Sequence, residues 1–340
     1  MSIQSELQST IADLVVKGKG LLAADESQPT IAKRFKEIKV ESTETSRLAY
    51  RQLLLTTPGL GEFISGVILF EETLGQSTAD GKPLLQIAVE QGIVPGIKVD
   101  KGTVSLANAC GDLVTQGLDG LADRLSDYKE KGARFAKWRN VYTISAHNPT
   151  QLGMDANAEV LARYAAICQS LGLVPIVEPE VLLDGDHTIA CCFEVTEAVQ
   201  HSVFHALHRH RVQLEYMLLK PSMVLPGKDS PSTASPEEIA EMTLVQLRRS
   251  VPAAVPGINF LSGGQTPEEA TRNLNYINTM AGNAPWLLSF SYARALQQPV
   301  LQAWQGKPEN IAAAQDTLYK RAKLNSAACL GSYTAEMEKE

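Results

Sequence analysis

The chain has 340 residues, of which 44% are hydrophobic and 20% are charged, and its formal net charge at pH 7 is -7. A chain of this size and composition can bury a large core, and its length allows one large domain or two smaller ones. The acidic balance excludes a general nucleic-acid binder, because phosphate backbones need a basic protein face. An anionic ligand therefore has to be held by local cations.

The chain shows neither membrane-spanning nor secretory features. No apolar stretch is long enough to span a bilayer, and residues 1–6 lack the basic-then-apolar pattern of a signal peptide. The cysteines are odd in number and lack zinc-knuckle spacing, and Cys191 is adjacent to Cys192, so reduced thiols are expected. We expect a cytoplasmic protein without a membrane partner, or one of the plastid stroma if the chain is the mature form of an imported protein.

Apolar runs of strand length alternate with helical segments after an amphipathic lead-in at residues 1–19. Segments 158–171 and 235–251 have helical periodicity, and the second begins with a capping-box pattern at Ser235. Eight strand–helix units with continuously apolar strands predict an α/β fold, a (β/α)8 TIM barrel, rather than an open doubly wound sheet. The predicted strands are residues 20–27, 66–71, 96–100, 135–139, 174–180, 216–221, 257–264 and 286–290.

Residues 1–340 are predicted to form a single domain, whose barrel spans residues 20–307. A C-terminal helix at 308–330 and a polar, mobile tail at 331–340 follow it. The first strand is not followed by Gly-x-Gly-x-x-Gly, and the chain has no Gly-Lys-Ser/Thr phosphate loop. These absences count against a nucleotide fold, and no cofactor is predicted.

Charged side chains stand at the ends of most predicted strands. Residues two apart share a strand face, so pairs such as Lys137 with Arg139 point the same way. The C-terminal strand ends of a barrel converge at one mouth, which predicts a shared site for these side chains. They are Asp25, Lys98, Asp100, Lys137, Arg139, Glu178, Glu180 and Lys220.

Lys220 ends an apolar strand and is followed by Pro221, which offers no backbone donor. A nearby Lys137 would push Lys220 toward the neutral amine, which attacks a ketone carbon. Glu178 could carry the protons of carbinolamine formation and dehydration, and Asp25 could then remove a hydroxyl proton so that a carbon–carbon bond breaks. The pattern predicts metal-free aldol cleavage. A solvated lysine at a strand end is the alternative for the Lys-Pro pair alone.

The last two predicted strands end in small residues and an arginine instead. Ser262 and Gly263 follow the seventh strand, and Ser291 and Arg294 follow the eighth. Phosphate sites of (β/α)8 barrels are frequently built from the loops after these two strands. The segments therefore predict a phosphate site, and a glycine-rich turn beside a surface arginine is the alternative.

Seven motifs stand in order between about Leu22 and Tyr333, and together they resemble the class I fructose-bisphosphate aldolase family. They are LAADES at 22–27, GIKVDKG at 96–102, FAKWR at 135–139, EPE at 178–180, LLKP at 218–221, FLSGGQ at 260–265 and FSYAR at 290–294. The resemblance implies a cytosolic, usually tetrameric, metal-free Schiff-base enzyme. It would interconvert fructose 1,6-bisphosphate with dihydroxyacetone phosphate and glyceraldehyde 3-phosphate in glycolysis or gluconeogenesis. Use of sedoheptulose 1,7-bisphosphate stays open.

The resemblance also implies a role for each matching residue. Lys220 would form the Schiff base, Glu178 would be its acid/base, Asp25 the base of cleavage, Lys137 a stabiliser of charge, and Glu180 would orient Lys220. One phosphate would be held after strands seven and eight, and the other at strands one and three with a weaker contact at the rim. The implied substrate-binding residues are Ser27, Thr30, Arg34, Arg47, Lys98, Arg139, Ser262, Gly263, Ser291 and Arg294.

Three features depart from the family pattern. Thr30 ends Gln-Pro-Thr where Thr-Gly-Ser is usual, so a hydroxyl is kept on a different loop. Ala293 stands where glycine is common. Animal and plant members carry a longer tail that ends in tyrosine, whereas the nearby phenol here is Tyr333, which we expect not to reach the mouth. Slow proton exchange at C3 of dihydroxyacetone phosphate is therefore expected, unless Glu178 or an ordered water takes over.

Two other functions are weighed against the enzyme. His201, His205 and His208 share one helical face, and His210 follows, so a metal-binding module is one alternative. The run contains no carboxylate or cysteine and falls on an outer helix, whose polar face needs no metal. A noncatalytic scaffold that binds partners is the other alternative. The intact set of predicted catalytic residues weighs against it.

Overall fold

The computed structural model describes residues 2–339. Its strands are β1 (Gly20–Ala24), β2 (Ile64–Leu69), β3 (Val94–Lys98), β4 (Thr103–Ser105), β5 (Leu113–Thr115), β6 (Phe135–Tyr142), β7 (Val174–Val181), β8 (Leu218–Leu219), β9 (Gly257–Phe260) and β10 (Leu287–Tyr292). Its helices are α1 (Ile3–Leu14), α2 (Gln28–Glu37), α3 (Glu44–Leu55), α4 (Glu71–Leu74), α5 (Leu84–Glu90), α6 (Leu121–Glu130), α7 (Gln151–Ser170), α8 (Ile189–Arg209), α9 (Pro236–Ser250), α10 (Pro267–Met280), α11 (Arg294–Trp304) and α12 (Ile311–Cys329).

Eight of the strands form a closed parallel barrel in the order β1, β2, β3, β6, β7, β8, β9, β10. Each predicted apolar run overlaps one of them, which confirms the (β/α)8 fold. The strands are buried on both faces, because side chains of one face fill the barrel and those of the other pack under the helices. The antiparallel pair β4 and β5, between β3 and α6, was not predicted.

The N-terminal end of the barrel is closed by α1. Leu7 and Leu14 of this helix pack against the side chains that fill the barrel interior, among them Phe135 at the start of β6. Space there is tight: a Cβ on Gly96 would lie 2.3 Å from the Phe135 ring. The predicted lead-in is thus a structural plug, and an accessible site has to lie at the C-terminal end.

The last described residues pack against α12, and the mobility predicted for residues 331–340 stays a prediction. Residues Ala335–Glu338 form a 3-10 turn. Glu338 accepts hydrogen bonds from Arg321 at 2.7 Å and from the Tyr333 hydroxyl at 3.0 Å. Arg321 on α12 therefore supplies a charge partner that the tail sequence does not reveal. The proposed limits of barrel, helix and tail at 307 and 330 stay predictions.

None of the helices described within residues 2–339 has the length and apolar character that a bilayer crossing requires.

Candidate active site

A cavity of about 540 Å³ opens at the C-terminal end of the barrel. Its walls are the ends of the strands and the loops that follow them. It brings together every predicted site residue except Arg47: Asp25, Ser27, Thr30, Arg34, Lys98, Lys137, Arg139, Glu178, Glu180, Lys220, Ser262, Gly263, Ser291 and Arg294. The predicted convergence of charged strand ends at one mouth therefore occurs in the structure.

Four buried ionic side chains form a chain of contacts at the base of this cavity. Lys137 Nζ lies 2.7 Å from Asp25 Oδ2 and 3.0 Å from Glu178 Oε2. Lys220 Nζ lies 3.0 Å from Glu178 Oε1. These side chains are only 4% to 9% exposed. Their two positive and two negative charges compensate one another, which makes their burial tolerable.

Pairing between strands sets the order of these groups. Arg139 on β6 is in register with Glu178 on β7, so Lys137, two residues earlier, points into the barrel from the same strand face. Lys220 follows the two-residue strand β8, and its backbone N–H donates to Val177 O at 2.8 Å. Glu178 therefore lies between the two lysines. The charged group in contact with Lys220 is the carboxylate of Glu178, whose other oxygen contacts Lys137.

The electrostatics at the base of the cavity favour the charged forms of Asp25, Glu178 and Lys137. Burial would raise the pKa of Asp25, but Lys137 and Lys220 outweigh burial and hold that pKa well below its usual range. Burial likewise would raise the pKa of Glu178, and the same two lysines lower it overall. For Lys137, burial lowers the pKa, yet Asp25 and Glu178 raise it well above the usual range. The cavity thus holds two carboxylates that are ionised at neutral pH.

Two further ion pairs lie at the cavity wall near the four central groups. Arg139 Nε binds Glu180, and Lys98 Nζ lies 2.7 Å from Asp100 Oδ1. Glu180, predicted to orient Lys220, therefore has Arg139 as its ion-pair partner. Lys98 and Arg139 keep their cationic groups at the cavity wall, where an anionic substrate could recruit them.

Two groups of residues suited to an anion line the mouth, one after β9 and β10 and the other after β1, which pairs with β10. In the first group, Ser262 and Gly263 follow β9, Gly263 has a φ of +55°, and Arg294 Nη2 donates to Gly263 O at 2.7 Å. In the second group, Ser27 caps the start of α2 without using its side chain, and its hydroxyl lies 3.1 Å from that of Thr30. Each group combines hydroxyls with the N-terminus of a helix of ten or more residues, an arrangement that suits phosphate.

Sequence reasoning missed three charged groups of the cavity: Glu26, Lys33 and Glu37. Glu26 is buried, binds Arg34, and lies 2.7 Å from Arg51 Nη1. Burial would raise the pKa of Glu26, but the two arginines lower it overall. The position of Glu26 next to Asp25 was a usable signal. For Lys33 the signal was its place one residue before Arg34 on the helix that begins at the mouth.

Arg47 does not line the cavity, contrary to the prediction of a contact at its rim. Its guanidinium makes a two-point ion pair with Glu72, at 2.6 Å and 2.7 Å. Glu72 belongs to α4, so the pair joins α3 to α4 and turns the arginine away from the strand ends. Burial would lower the pKa of Arg47, but the hydrogen bond to Glu72 raises it overall.

The histidines of the alternative metal site lie on the exposed face of α8. His201, His205 and His208 are exposed, and His210 Nε2 lies 3.0 Å from Glu159. Within the described part of the chain, no group of three or more histidines, cysteines and carboxylates is placed to hold a metal ion. Tyr333 lies outside the cavity, with its pKa raised to about 12 by burial and by Glu338.

The fold and this cavity define a (β/α)8-barrel enzyme whose central groups are amines and carboxylates. The chain belongs to the class-I fructose-bisphosphate aldolase family, because the family model "Glycolytic: Fructose-bisphosphate aldolase class-I" matches residues 6–340. The resemblance seen in the sequence motifs is thereby confirmed, and the chain belongs to a family of carbon–carbon lyases.

Individual relatives agree with the family match. The chain is 57% identical to a cytosolic fructose-bisphosphate aldolase 5 of Arabidopsis thaliana, covering 97% of this chain and 92% of the relative. It is 56% identical to fructose-bisphosphate aldolase 2 of Caenorhabditis elegans, over 98% and 91% of the two chains. A Plasmodium falciparum fructose-bisphosphate aldolase, crystallised with TRAP and a small-molecule inhibitor, superimposes with a TM-score of 0.96 at 51% identity, covering 98% of this chain and 96% of that one.

Proposed function

We propose that the chain reversibly cleaves fructose 1,6-bisphosphate to dihydroxyacetone phosphate and glyceraldehyde 3-phosphate through a Schiff base on Lys220. The observation that carries this proposal is the buried chain of contacts from Asp25 through Lys137 and Glu178 to Lys220. Membership of the aldolase family supports the substrate and the reaction. An amine in contact with an acid/base group, with a second base nearby, is what a Schiff-base lyase needs.

The proposed reaction begins at the substrate's C2 ketone. Lys220 loses a proton through Glu178, 3.0 Å away, and its amine attacks C2. Glu178 moves a proton from the attacking nitrogen to the carbinolamine oxygen and then supplies the second proton, so that this oxygen leaves as water and a protonated imine results. Asp25 removes the proton of the C4 hydroxyl, the C3–C4 bond breaks, and its electron pair moves through C2 to the imine nitrogen. Glyceraldehyde 3-phosphate leaves, and an enamine of dihydroxyacetone phosphate stays on Lys220.

Lys137 is proposed to stabilise the negative charge that moves between the carboxylates and the substrate oxygens. Its Nζ contacts both Asp25 and Glu178, so its positive charge can stabilise negative charge on either carboxylate with little movement. Fixed charges in a water-poor cavity are among the strongest catalytic devices, since they need no reorganisation during the reaction. Glu180 is proposed to act through Arg139, its ion-pair partner, by fixing the wall beside Glu178.

The two phosphates are proposed to occupy the two anion-binding groups of the mouth. One lies at the start of α11 with Ser262, Gly263, Ser291 and Arg294. The other lies at the start of α2 with Ser27 and Thr30. Lys98, Arg34, Lys33 and Arg139 add positive charge along the wall. Sedoheptulose 1,7-bisphosphate has the same reacting carbons and two phosphates, so we propose it as a further substrate.

We propose a role in glycolysis or gluconeogenesis, in the cytosol, as a homotetramer. The match to a glycolytic aldolase family supports the pathway, and the cytosolic names of plant relatives support the location. The tetramer rests on family membership. Size-exclusion chromatography with light scattering tests the assembly.

Borohydride trapping tests the central proposal. Dihydroxyacetone phosphate and borohydride should add a reduced adduct to Lys220, identified by peptide mass spectrometry. Lys220→Met should abolish both the adduct and the cleavage of fructose 1,6-bisphosphate. The matched control is Lys228→Met, because Lys228 is an exposed lysine of the next loop that pairs with Asp184. Cleavage by Lys220→Met at a near wild-type rate would refute the mechanism, and loss of wild-type activity on chelation would point to metal-dependent aldol chemistry.

A further inference from the structure

A small second cavity lies behind the turn that follows β9. Its volume is about 10 Å³, and its lining includes residues 181–183, His187, Ser222 and residues 261–265. Leu261, Ser262 and Gly263 line this cavity as well as the active-site cavity. The turn that is proposed to bind phosphate therefore separates the active-site cavity from the small cavity. Groups in the small cavity can contact this turn from the side opposite the substrate.

His187 is a buried polar side chain that lines this small cavity. The residue is 8% exposed, and neither Nδ1 nor Nε2 has a hydrogen-bond partner among the described residues. Leaving a buried polar group unpaired costs about 1–3 kcal/mol, so such a group calls for an explanation. Burial lowers the pKa of the His187 imidazole despite the neighbouring Asp186, which favours the neutral ring with one donor and one acceptor.

The loop that carries His187 is firmly anchored. His187 O accepts a hydrogen bond from Gly227 N at 2.8 Å, and Leu183 O accepts one from Lys228 N at 2.8 Å. The side chain of Leu183 lies against the turn after β9, since a Cβ on Gly264 would come within 2.6 Å of it. The backbone that carries His187 is thus fixed next to the turn, on a loop in direct contact with it.

The turn also needs support that does not come from the active-site side. In the structure, Gly263 O is held by Arg294, the arginine proposed to bind phosphate. A phosphate that draws Arg294 toward itself weakens this contact. The bond from Gln265 N to Ser262 O, at 3.1 Å, then supports the turn from within. A hydrogen-bonding group behind the turn can replace the contact that the arginine gives up.

We propose that His187 is a positioning residue for the phosphate-binding turn at 262–264, acting through a hydrogen bond that crosses the small cavity. The cavity's volume suits a single bridging water, with the imidazole and the hydroxyls of Ser222 and Ser262 as polar groups around it. The inference rests on the proposed function, because it takes this turn as the phosphate site of the aldolase. His187 itself touches neither the substrate nor Lys220.

The test compares a phosphorylated and an unphosphorylated ligand at the same lysine. In His187→Phe the ring volume is kept and the hydrogen bond is lost. We expect the dihydroxyacetone phosphate concentration that gives half-maximal borohydride trapping to rise about tenfold, the effect of one hydrogen bond at the upper end of its usual range. The corresponding concentration of dihydroxyacetone, which has no phosphate, should stay unchanged. The thermal midpoint should be equal or higher, because an apolar ring replaces an unpaired polar one.

Two further variants sharpen the result. His187→Gln, whose amide can donate and accept, should restore the half-maximal concentration to within about threefold of wild type, since one hydrogen bond is regained. His205→Phe, an exposed histidine on the outer face of α8, should behave as wild type throughout. Equal losses for both ligands, no loss in His187→Phe, or a Gln variant as defective as the Phe variant would overturn the proposal. Failure of the wild type to be trapped would instead refute the Schiff-base function.

Discussion

Replacing Lys137 with methionine would remove the cation that joins Asp25 to Glu178. The side chain keeps a similar length, but the contacts of 2.7 Å and 3.0 Å to the two carboxylates are lost. Four buried charges that compensated one another become two carboxylates and the single cation of Lys220. One carboxylate then lacks a counter-charge. Burial raises the pKa of such a carboxyl, so it takes up a proton.

The magnitude follows from the two lost contacts. Breaking a buried ion pair by removing one partner costs about 3–5 kcal/mol, and proton uptake by a carboxyl reduces this loss. For the reaction, loss of a fixed charge beside the reacting groups costs about 2.7–4 kcal/mol, which is about a 100- to 1,000-fold fall in kcat. We expect Lys137→Met to lose cleavage of fructose 1,6-bisphosphate to this extent. Slow borohydride trapping at Lys220 should persist.

The pH dependence of stability separates this explanation from a general packing defect. In the wild type the pKa values of Asp25 and Glu178 lie below their ordinary values of about 4, so both groups contribute fully to stability above about pH 5. That contribution is lost as the pH falls through and below about 4. In Lys137→Met, the pKa of the carboxyl without a counter-charge rises above its value in the unfolded chain. The variant should therefore become more stable as the pH falls from 7 to 5.

Urea unfolding at pH 7 and pH 5 measures this difference. The exposed Lys131, replaced by methionine, is the matched control and should follow the wild type at both values. A Lys137→Met protein whose free energy of unfolding does not rise from pH 7 to pH 5, or that keeps kcat within about threefold, would refute the electrostatic account.

Three further variants test separate parts of the structure. Arg294→Ala should weaken binding of fructose 1,6-bisphosphate by about 2 kcal/mol, because a charge-assisted contact is lost, and equal losses for unphosphorylated fructose would refute the phosphate assignment. Gly96→Ala should lower the free energy of unfolding by about 1–3 kcal/mol through overpacking against Phe135, measured in urea. Tyr333→Phe should cost about 1 kcal/mol of stability by removing the bond to Glu338, and its kcat should match the wild type.

The barrel could be predicted because its strands carry a strong local signal. Each is a short apolar run, buried on both faces, and charged or small residues follow it at the mouth. The hairpin of β4 and β5 carries no such signal: its strands have three residues each, and Thr103–Ser105 is exposed along its length. These strands show no hydrophobic periodicity, so a prediction based on periodicity does not find them.

The site could be predicted where residues lie on strands, and less well where they lie on helices. The C-terminal ends of all barrel strands lie at the mouth. The positions of Lys137, Glu178 and Lys220 could therefore be predicted without knowing which residues surround them. Arg47 lies on α3, and its direction depends on Glu72, 25 residues later in the chain. His187 lies in a loop, and its proximity to residues 262–264 follows from contacts between loops that local sequence does not specify.

The order of the four charged groups at the base of the cavity depends on how the strands pair. The sequence could therefore identify these residues but not which of them lie in contact. Strand β8 has two residues, and a shift of its register by one would turn Lys220 to the opposite face of the barrel wall. Two backbone contacts fix the register: Ile176 pairs with Leu218, and Lys220 N donates to Val177 O. The second contact places the lysine beside Glu178, the next residue on β7. Because Glu178 thereby separates Lys220 from Lys137, the proton path proposed for imine formation is a consequence of how β7 pairs with β8.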